Sequence, residues 1–436
     1  MVCLLVLPNQ LFDIKNLQKL EFNEIIIYEH PHYFQKYNYN KKKLMLHRIS
    51  MRKYYKALQL GKIYKVRYLN FWKSLPKSKS YLMYNPIDKI SLPPNIEIME
   101  SPNFLTSTEM YKSYQNKTKK FIFNNFYLWC KQELNIYPEL RSMDKLNRQK
   151  YKGETIPLTP KINSSPEIKY AKLYVEKYFP NNLGNTSNFS YPTTTDESKK
   201  WLADFLKNKF ELYGPYQDYS IQSNSTMYHS VLSSSINIGL LNPSDIIVAM
   251  KPFYDKIKIN SFEGYLRQLF WREYQRYCFE FINFDIQPYF ENNTIKIDKS
   301  WYNGTTGIPP IDDLIISGFD TGYIHHIGRL MVIGNYMNLC NIHPNEGYKW
   351  FMEVSIDSYE WVMHQNVYDM VFFVTGGKTT RKPYTTSSNY VLNMTDYKKD
   401  GWCGIWNYKY KEFLKNNYEK LWKFRFHFPG LHNILL

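Results

Sequence analysis

The spacing of apolar residues changes once along this chain, and that change restricts its fold more than any other feature. Through about residue 110 they come in short runs: Cys3-Leu-Leu-Val-Leu7, Glu24-Ile-Ile-Ile-Tyr28, Ile63-Tyr-Lys-Val-Arg-Tyr68 and Ile96-Glu-Ile-Met99. Runs of that length read as buried strands, and Lys43 to Leu60 between them reads as a helix. Strand, helix, strand at this spacing predicts an open parallel sheet, because parallel neighbours need a long crossover. Leu7-Pro-Asn-Gln-Leu11 follows the first strand where a dinucleotide fold would carry G-x-G-x-x-G. A pyrophosphate cradle of that type is therefore not supported.

Beyond Thr195 the period becomes helical and stays so. Asp196-Glu-Ser-Lys-Lys-Trp-Leu-Ala-Asp-Phe-Leu opens on acids and continues with apolar residues at helix spacing. Ser261–Phe281, Thr321–Cys340, Pro344–Trp361 and Tyr408–Trp422 repeat the habit. Between the two patterns, 142–192 is rich in Lys, Asn, Ser, Thr and Pro and reads as linker. The expected organisation is an α/β domain over 1–130, an interdomain linker over 131–195 and an all-helical domain over 196–436.

At 436 residues the chain has length for two cores. Its formal net charge of +17 sets up a field that draws polyanions, of which nucleic acid is the commonest. Cys3, Cys130, Cys278, Cys340 and Cys403 are scattered without a C-x-x-C pair, which predicts neither disulfides nor a metal site. No apolar run approaches the roughly 18 to 20 residues of a membrane span. The expectation is a soluble, intracellular monomer with no membrane partner.

Four clusters carry chemistry. His325-His326, in Gly322-Tyr-Ile-His-His-Ile-Gly-Arg-Leu-Met331, reads as one helical turn with Arg329 at i+3 and i+4. Adjacent helical side chains diverge by about 100°, so at most one imidazole faces a given cleft. Gln268, Trp271 and Arg272 share a predicted helix face that suits a flipped, stacked base; an amphipathic helix with a core Trp has the same pattern. Met227-Tyr-His-Ser-Val-Leu-Ser-Ser-Ser-Ile-Asn237 gathers hydroxyls suited to phosphate oxygens or to an ordinary capped turn. Trp350, Asp357, Tyr359 and Trp361, ahead of Met363-His-Gln-Asn366, suit electron transfer or the filling of a helix interface.

Eight blocks stand in order along nearly the whole chain: Leu7-Pro-Asn-Gln-Leu11, Leu46-His-Arg-Ile-Ser-Met51, Tyr213-Gly-Pro-Tyr-Gln-Asp218, His229-Ser-Val-Leu-Ser233, Gln268-Leu-Phe-Trp-Arg-Glu-Tyr274, His325-His-Ile-Gly-Arg-Leu-Met331, Asp357-Ser-Tyr-Glu-Trp361 and Lys382-Pro-Tyr384. Together they resemble the photolyase/cryptochrome superfamily, nearest its branch of iron–sulfur bacterial cryptochromes and prokaryotic (6-4) photolyases. The resemblance implies an antenna-type α/β domain, with a second chromophore of unknown identity, and a helical domain holding a U-shaped FAD. It implies FAD contacts at His229, Ser230, Leu232, Ser233, Asn237, Trp271, Arg272, Arg329, Asp357, Met363 and Asn366. Ser230, Leu232 and Ser233 would face the phosphates, and Arg329 and Asp357 would pair beside the isoalloxazine. Gln268 would contact the damaged base, and His325 would count with it and His326 among the catalytic residues. His326 falls on the proton-donor position of (6-4) enzymes, where cyclobutane-specific relatives carry Asn. Trp350 and Tyr359 would carry electrons. The implied function is light-driven repair of UV-damaged DNA, with (6-4) photoproducts preferred.

The chain departs from that branch at two places. Its four-cysteine [4Fe–4S] site is replaced by Ile308-Pro-Pro-Ile311 and Asp396-Tyr-Lys-Lys-Asp-Gly-Trp-Cys403, and one thiolate cannot hold a cubane, so no cluster is expected. Met363 stands at the flavin N5 position, where relatives carry Glu or Asn. A cryptochrome-type blue-light photoreceptor without repair activity and a cyclobutane-dimer photolyase remain as alternative readings.

Overall fold

The computed structural model describes residues 2–162, 164–284 and 286–433. The short apolar runs form a parallel five-stranded sheet of order β3-β2-β1-β4-β5. These are β1 (Val2–Val6), β2 (Glu24–Tyr28), β3 (Val66–Leu69), β4 (Ser80–Tyr84) and β5 (Ile96–Met99). In register, Cys3 faces Glu24 on one side and Tyr81 on the other. β2 is buried throughout and β1 from Cys3 onward, which is why both read as unbroken apolar runs. The edge strands β3 and β5 are half exposed, and their sequences alternate more. The open α/β region followed by a helical one is the architecture the sequence predicts.

The 131–195 stretch, read from sequence as linker, differs in one respect. It contains a helix, Pro166–Tyr178, capped by Ser165 and packed on the Lys41–Leu60 helix through Ala171, Tyr174 and Val175. Lys and Glu between those apolar positions disguise the period.

The α/β region also holds the helical region in place. Asn40 caps the Lys41–Leu60 helix through Oδ1, while its Nδ2 donates to the carbonyls of Phe319 (3.1 Å) and Val354 (3.2 Å). Lys43 donates to the Ser358 carbonyl, His47 Nε2 lies 2.9 Å from the Tyr359 hydroxyl, and Asp88 accepts from the Trp361 N–H at 3.2 Å. Residues 355–361 are thus fastened from the neighbouring region.

Two expected helices are interrupted. Pro309–Thr321 ends at Gly322, whose φ of +77° is a left-handed cap. Residues 323–325 are non-helical, and helix resumes at His326, so the two histidines do not share a turn. Likewise Pro344–Val354 stops before Asp357, which sits on a loop ahead of Glu360–Met363. Among the described residues, no helix is long and apolar enough to cross a membrane.

Candidate active site

A cavity of about 520 Å³ opens between the Ile259–Phe281 helix and two wide-turn π-helical segments, Gly328–Gly334 and His364–Val371. Its size is ordinary for a cofactor or substrate site. From the long helix come Arg267, Gln268, Trp271 and Gln275, a face spaced i, i+1, i+4, i+8. The indole of Trp271 is braced from behind by Phe123, with ring centroids 3.7 Å apart and planes 9° from parallel. Arg272, one residue on, points about 100° away. It is buried against Phe104 and Trp361 at 4.0 and 4.9 Å, and donates to the Asn103 carbonyl and Asn237 Oδ1. The shared face predicted for Gln268, Trp271 and Arg272 therefore divides: the first two line the cavity, and Arg272 does not.

The π segments supply the opposite walls, Arg329, Leu330 and Met331 from one and Asn366, Val367 and Met370 from the other. Such segments recur at functional sites because the wider turn re-aims side chains. They can lie this close because of Gly334: a Cβ there would stand 2.6 Å from Val371 Cγ2. Met363 and Phe351, each 1% exposed, close the bottom. Asn366 spends its amide on the Val362 carbonyl at 3.1 Å.

At the mouth stands His326, its side chain 45% exposed, with Nε2 3.0 Å from Asp218 Oδ1. Asp218 also meets Arg148 Nε at 3.0 Å. Burial alone would raise the Asp218 carboxyl, but the hydrogen bonds and charges of His326 and Arg148 hold it well below the usual range. A carboxylate so held can only accept, so the His326 Nε2 carries hydrogen and Nδ1 remains for the cavity. His325 does not join this wall. It is buried beside His229 with ring centroids 4.9 Å apart, and neither of its ring nitrogens has a partner. Burial and neighbouring imidazoles push its protonation well below the ordinary histidine value; those of His229 bring it to about 4. Both are neutral interior groups at physiological pH.

Arg329 and Asp357 form the expected ion pair, Nη2 to Oδ1 at 2.8 Å. The Asp357 carbonyl accepts from Asn237 Nδ2 at 2.9 Å, and Asn237 Oδ1 accepts from Arg272. Arg272 and Asn237 thus position Arg329 from behind the wall. His229, Ser230, Leu232 and Ser233 do not line the cavity; Leu232 is fully buried, and the Ser230 carbonyl accepts from the Trp201 indole. In the same block the hydroxyls of Ser234 and Ser235 are buried without a partner. Trp350 is fully buried, 5.1 Å from the ring of Phe351, with its N–H donated to the Trp301 carbonyl. Tyr359 is tied to His47 and lies outside the cavity lining.

Sequence reasoning passed over Asp218, Arg148, Lys382, Tyr384 and Tyr390, all of which line the cavity. Asp218 and Tyr384 close two of the eight blocks, and that was the available signal.

Residues 4–191 match the family model for deoxyribodipyrimidine photo-lyase-related proteins, and 265–422 match the FAD-binding domain of DNA photolyase. A (6-4) photolyase of Agrobacterium fabrum is 30% identical over 337 residues, 74% of this chain and 65% of that protein's length. In structure, the chain resembles a bacterial class III photolyase from Agrobacterium tumefaciens with a TM-score of 0.55 at 13% identity, covering 84% of this chain and 78% of that one. An archaeal photolyase from Sulfolobus tokodaii, solved with two FAD molecules, gives 0.50 at 12% identity and covers 85% of each chain. The parallel sheet, the helical cavity and these matches agree: the chain carries a photolyase-related N-terminal region and, behind it, the FAD-binding domain of DNA photolyases.

Proposed function

We propose that this protein is a light-driven DNA-repair enzyme of the (6-4) photolyase type. The observation that carries the reading is His326, fixed by Asp218 at the mouth of a cavity walled by Gln268, Trp271 and Arg329. FAD fits this site on the chain's own chemistry. The Arg329–Asp357 pair offers a fixed cation and anion beside the cavity, and the flat Trp271 indole with the apolar Leu330, Met331 and Met363 side chains of the lining suits a planar ring system. When bound and reduced, FAD supplies the light-excited electron that opens the lesion.

The remaining work falls to side chains. Arg148, Arg267 and Lys382 line the mouth and attract the phosphate backbone. A flipped lesion enters most readily because its pairing is already damaged. Trp271 gives its base a stacking surface worth about 1–3 kcal/mol, and Gln268 offers an amide to its edge. The Asp218 carboxylate orients His326 through its Nε2–H, which turns Nδ1 toward the cavity, from where the imidazole passes a proton to the rearranging lesion. Trp350, one ring behind Phe351, resupplies electrons to the site, with Tyr359 as a further relay.

An open recess of about 600 Å³ lined by Tyr28, His30, His32, Lys36 and Pro93 in the α/β region suits a second, light-gathering chromophore. Met363, apolar where a flavin ring would lie, favours a blue-light photoreceptor as the second reading. Illumination with a defined (6-4) duplex separates the two: restored thymines support repair, and their absence with flavin bound supports signalling.

A further inference from the structure

Beside the cavity lies a second recess of about 540 Å³ that the proposed repair chemistry does not use. It shares Trp271 and Tyr384 with the first, so one wall separates them. Phe121, Phe123 and Phe424 give it an aromatic lining. Lys378, Arg381 and Lys423 are exposed at its edge, and no carboxylate lines it among the described residues. The loop carrying Lys378 and Arg381 turns on Gly376 and Gly377, at φ +67° and +111°, where side-chain-bearing residues are strained. Thr380, also in the lining, is 8% exposed, and its hydroxyl has no hydrogen-bond partner.

Each feature asks for the same ligand chemistry. Flat apolar rings stack a base, unopposed cations take phosphate, and a buried hydroxyl without a partner is costly until something bonds to it. We infer that this recess binds a single nucleotide of the bound DNA, one that loses its pairing when the lesion is extruded into the neighbouring cavity. The inference rests on the repair reading for the presence of a lesion.

The test uses the full chain in the dark, with 2-aminopurine placed opposite a (6-4) lesion or immediately beside it. One of these positions should change fluorescence at least about twofold on binding, whereas a probe about ten base pairs away should not. In K378A/R381A/K423A the change should vanish. Between about 50 and 200 mM salt, wild-type affinity should fall roughly 3- to 12-fold further than the variant's, as losing contact with the one or two phosphates that flank a single nucleotide requires. Thr380→Val should weaken lesion binding severalfold, since a hydroxyl serving no ligand could be replaced by a methyl without loss. Silence at both probe positions, or unchanged binding in both variants, overturns the inference. So does sensitivity of free adenosine monophosphate to the same variants while the DNA probes stay silent, which assigns the recess to a free nucleotide. A dark signal without illuminated repair keeps the recess and removes the repair reading; repair without a signal does the reverse.

Discussion

Replacing Asp218 by Asn keeps the shape of the cavity mouth and removes one charge, which makes the role of His326 measurable. The substitution takes away a charge-assisted hydrogen bond of 3.0 Å, a type worth about 1.5–3 kcal/mol. Because the His326 side chain is 45% exposed, water competes for it, and the lower end applies. About 1.5 kcal/mol is roughly a tenfold factor in rate. Weakening the Arg148 ion pair at the same time adds little, since that side chain is 56% exposed. The assay is single-turnover repair of a (6-4) duplex at saturating DNA and a fixed light dose. D218N should repair about tenfold more slowly with its flavin content unchanged. Repair within about twofold of wild type, or a deficit explained wholly by weaker DNA binding, would refute the claim that Asp218 acts through His326.

Three further outcomes follow from the same geometry. His229 is buried neutral, with protonation shifted to about 4 first by burial and then by His326. A folded value below the unfolded one means stability present above about pH 6.5 and lost as pH falls toward 4, on the order of 3 kcal/mol by linkage. His229→Gln should flatten the decline of the urea midpoint between those pH values. Gly334→Ala puts a methyl 2.6 Å from Val371 Cγ2 and 2.8 Å from the Arg329 carbonyl. It should cost about 1–3 kcal/mol in a denaturant titration and lower FAD loading. Arg329→Ala and Asp357→Asn should each raise the FAD dissociation constant at least about tenfold, with the double variant little worse than either, since the two act as one ion pair.

Much of the fold was legible because central parallel strands must be apolar on both faces: β1 and β2 announce themselves, as does the Lys41–Leu60 helix between β2 and β3. β4 escaped because Ser80-Tyr-Leu-Met-Tyr84 sits in a stretch of Lys, Ser and Pro and carries no β-branched residue. The π segments were beyond reach, because seven or eight residues cannot distinguish a wide turn from an ordinary one by period. That blindness left unseen how the two segments carrying Arg329 and Asn366 wall the cavity. Helix spacing implied that only one of His325 and His326 faces the cleft, but not that the residue after Gly322 begins a non-helical stretch, which sends His325 into the core and leaves His326 at the mouth. The Arg329–Asp357 pair was legible only through the family resemblance, since the partners lie 28 positions apart on different elements.

The central claim is that the imidazole at the cavity mouth donates a proton during repair of the lesion. Its most direct test is the illuminated repair of defined (6-4) and cyclobutane duplexes by wild type and His326→Ala, each with its flavin absorbance recorded. Wild type should restore the (6-4) substrate and leave the cyclobutane one, and the variant should keep the flavin spectrum yet restore neither. Equal (6-4) repair by the variant, or a flavin-loaded wild type that leaves the (6-4) lesion untouched, would contradict it.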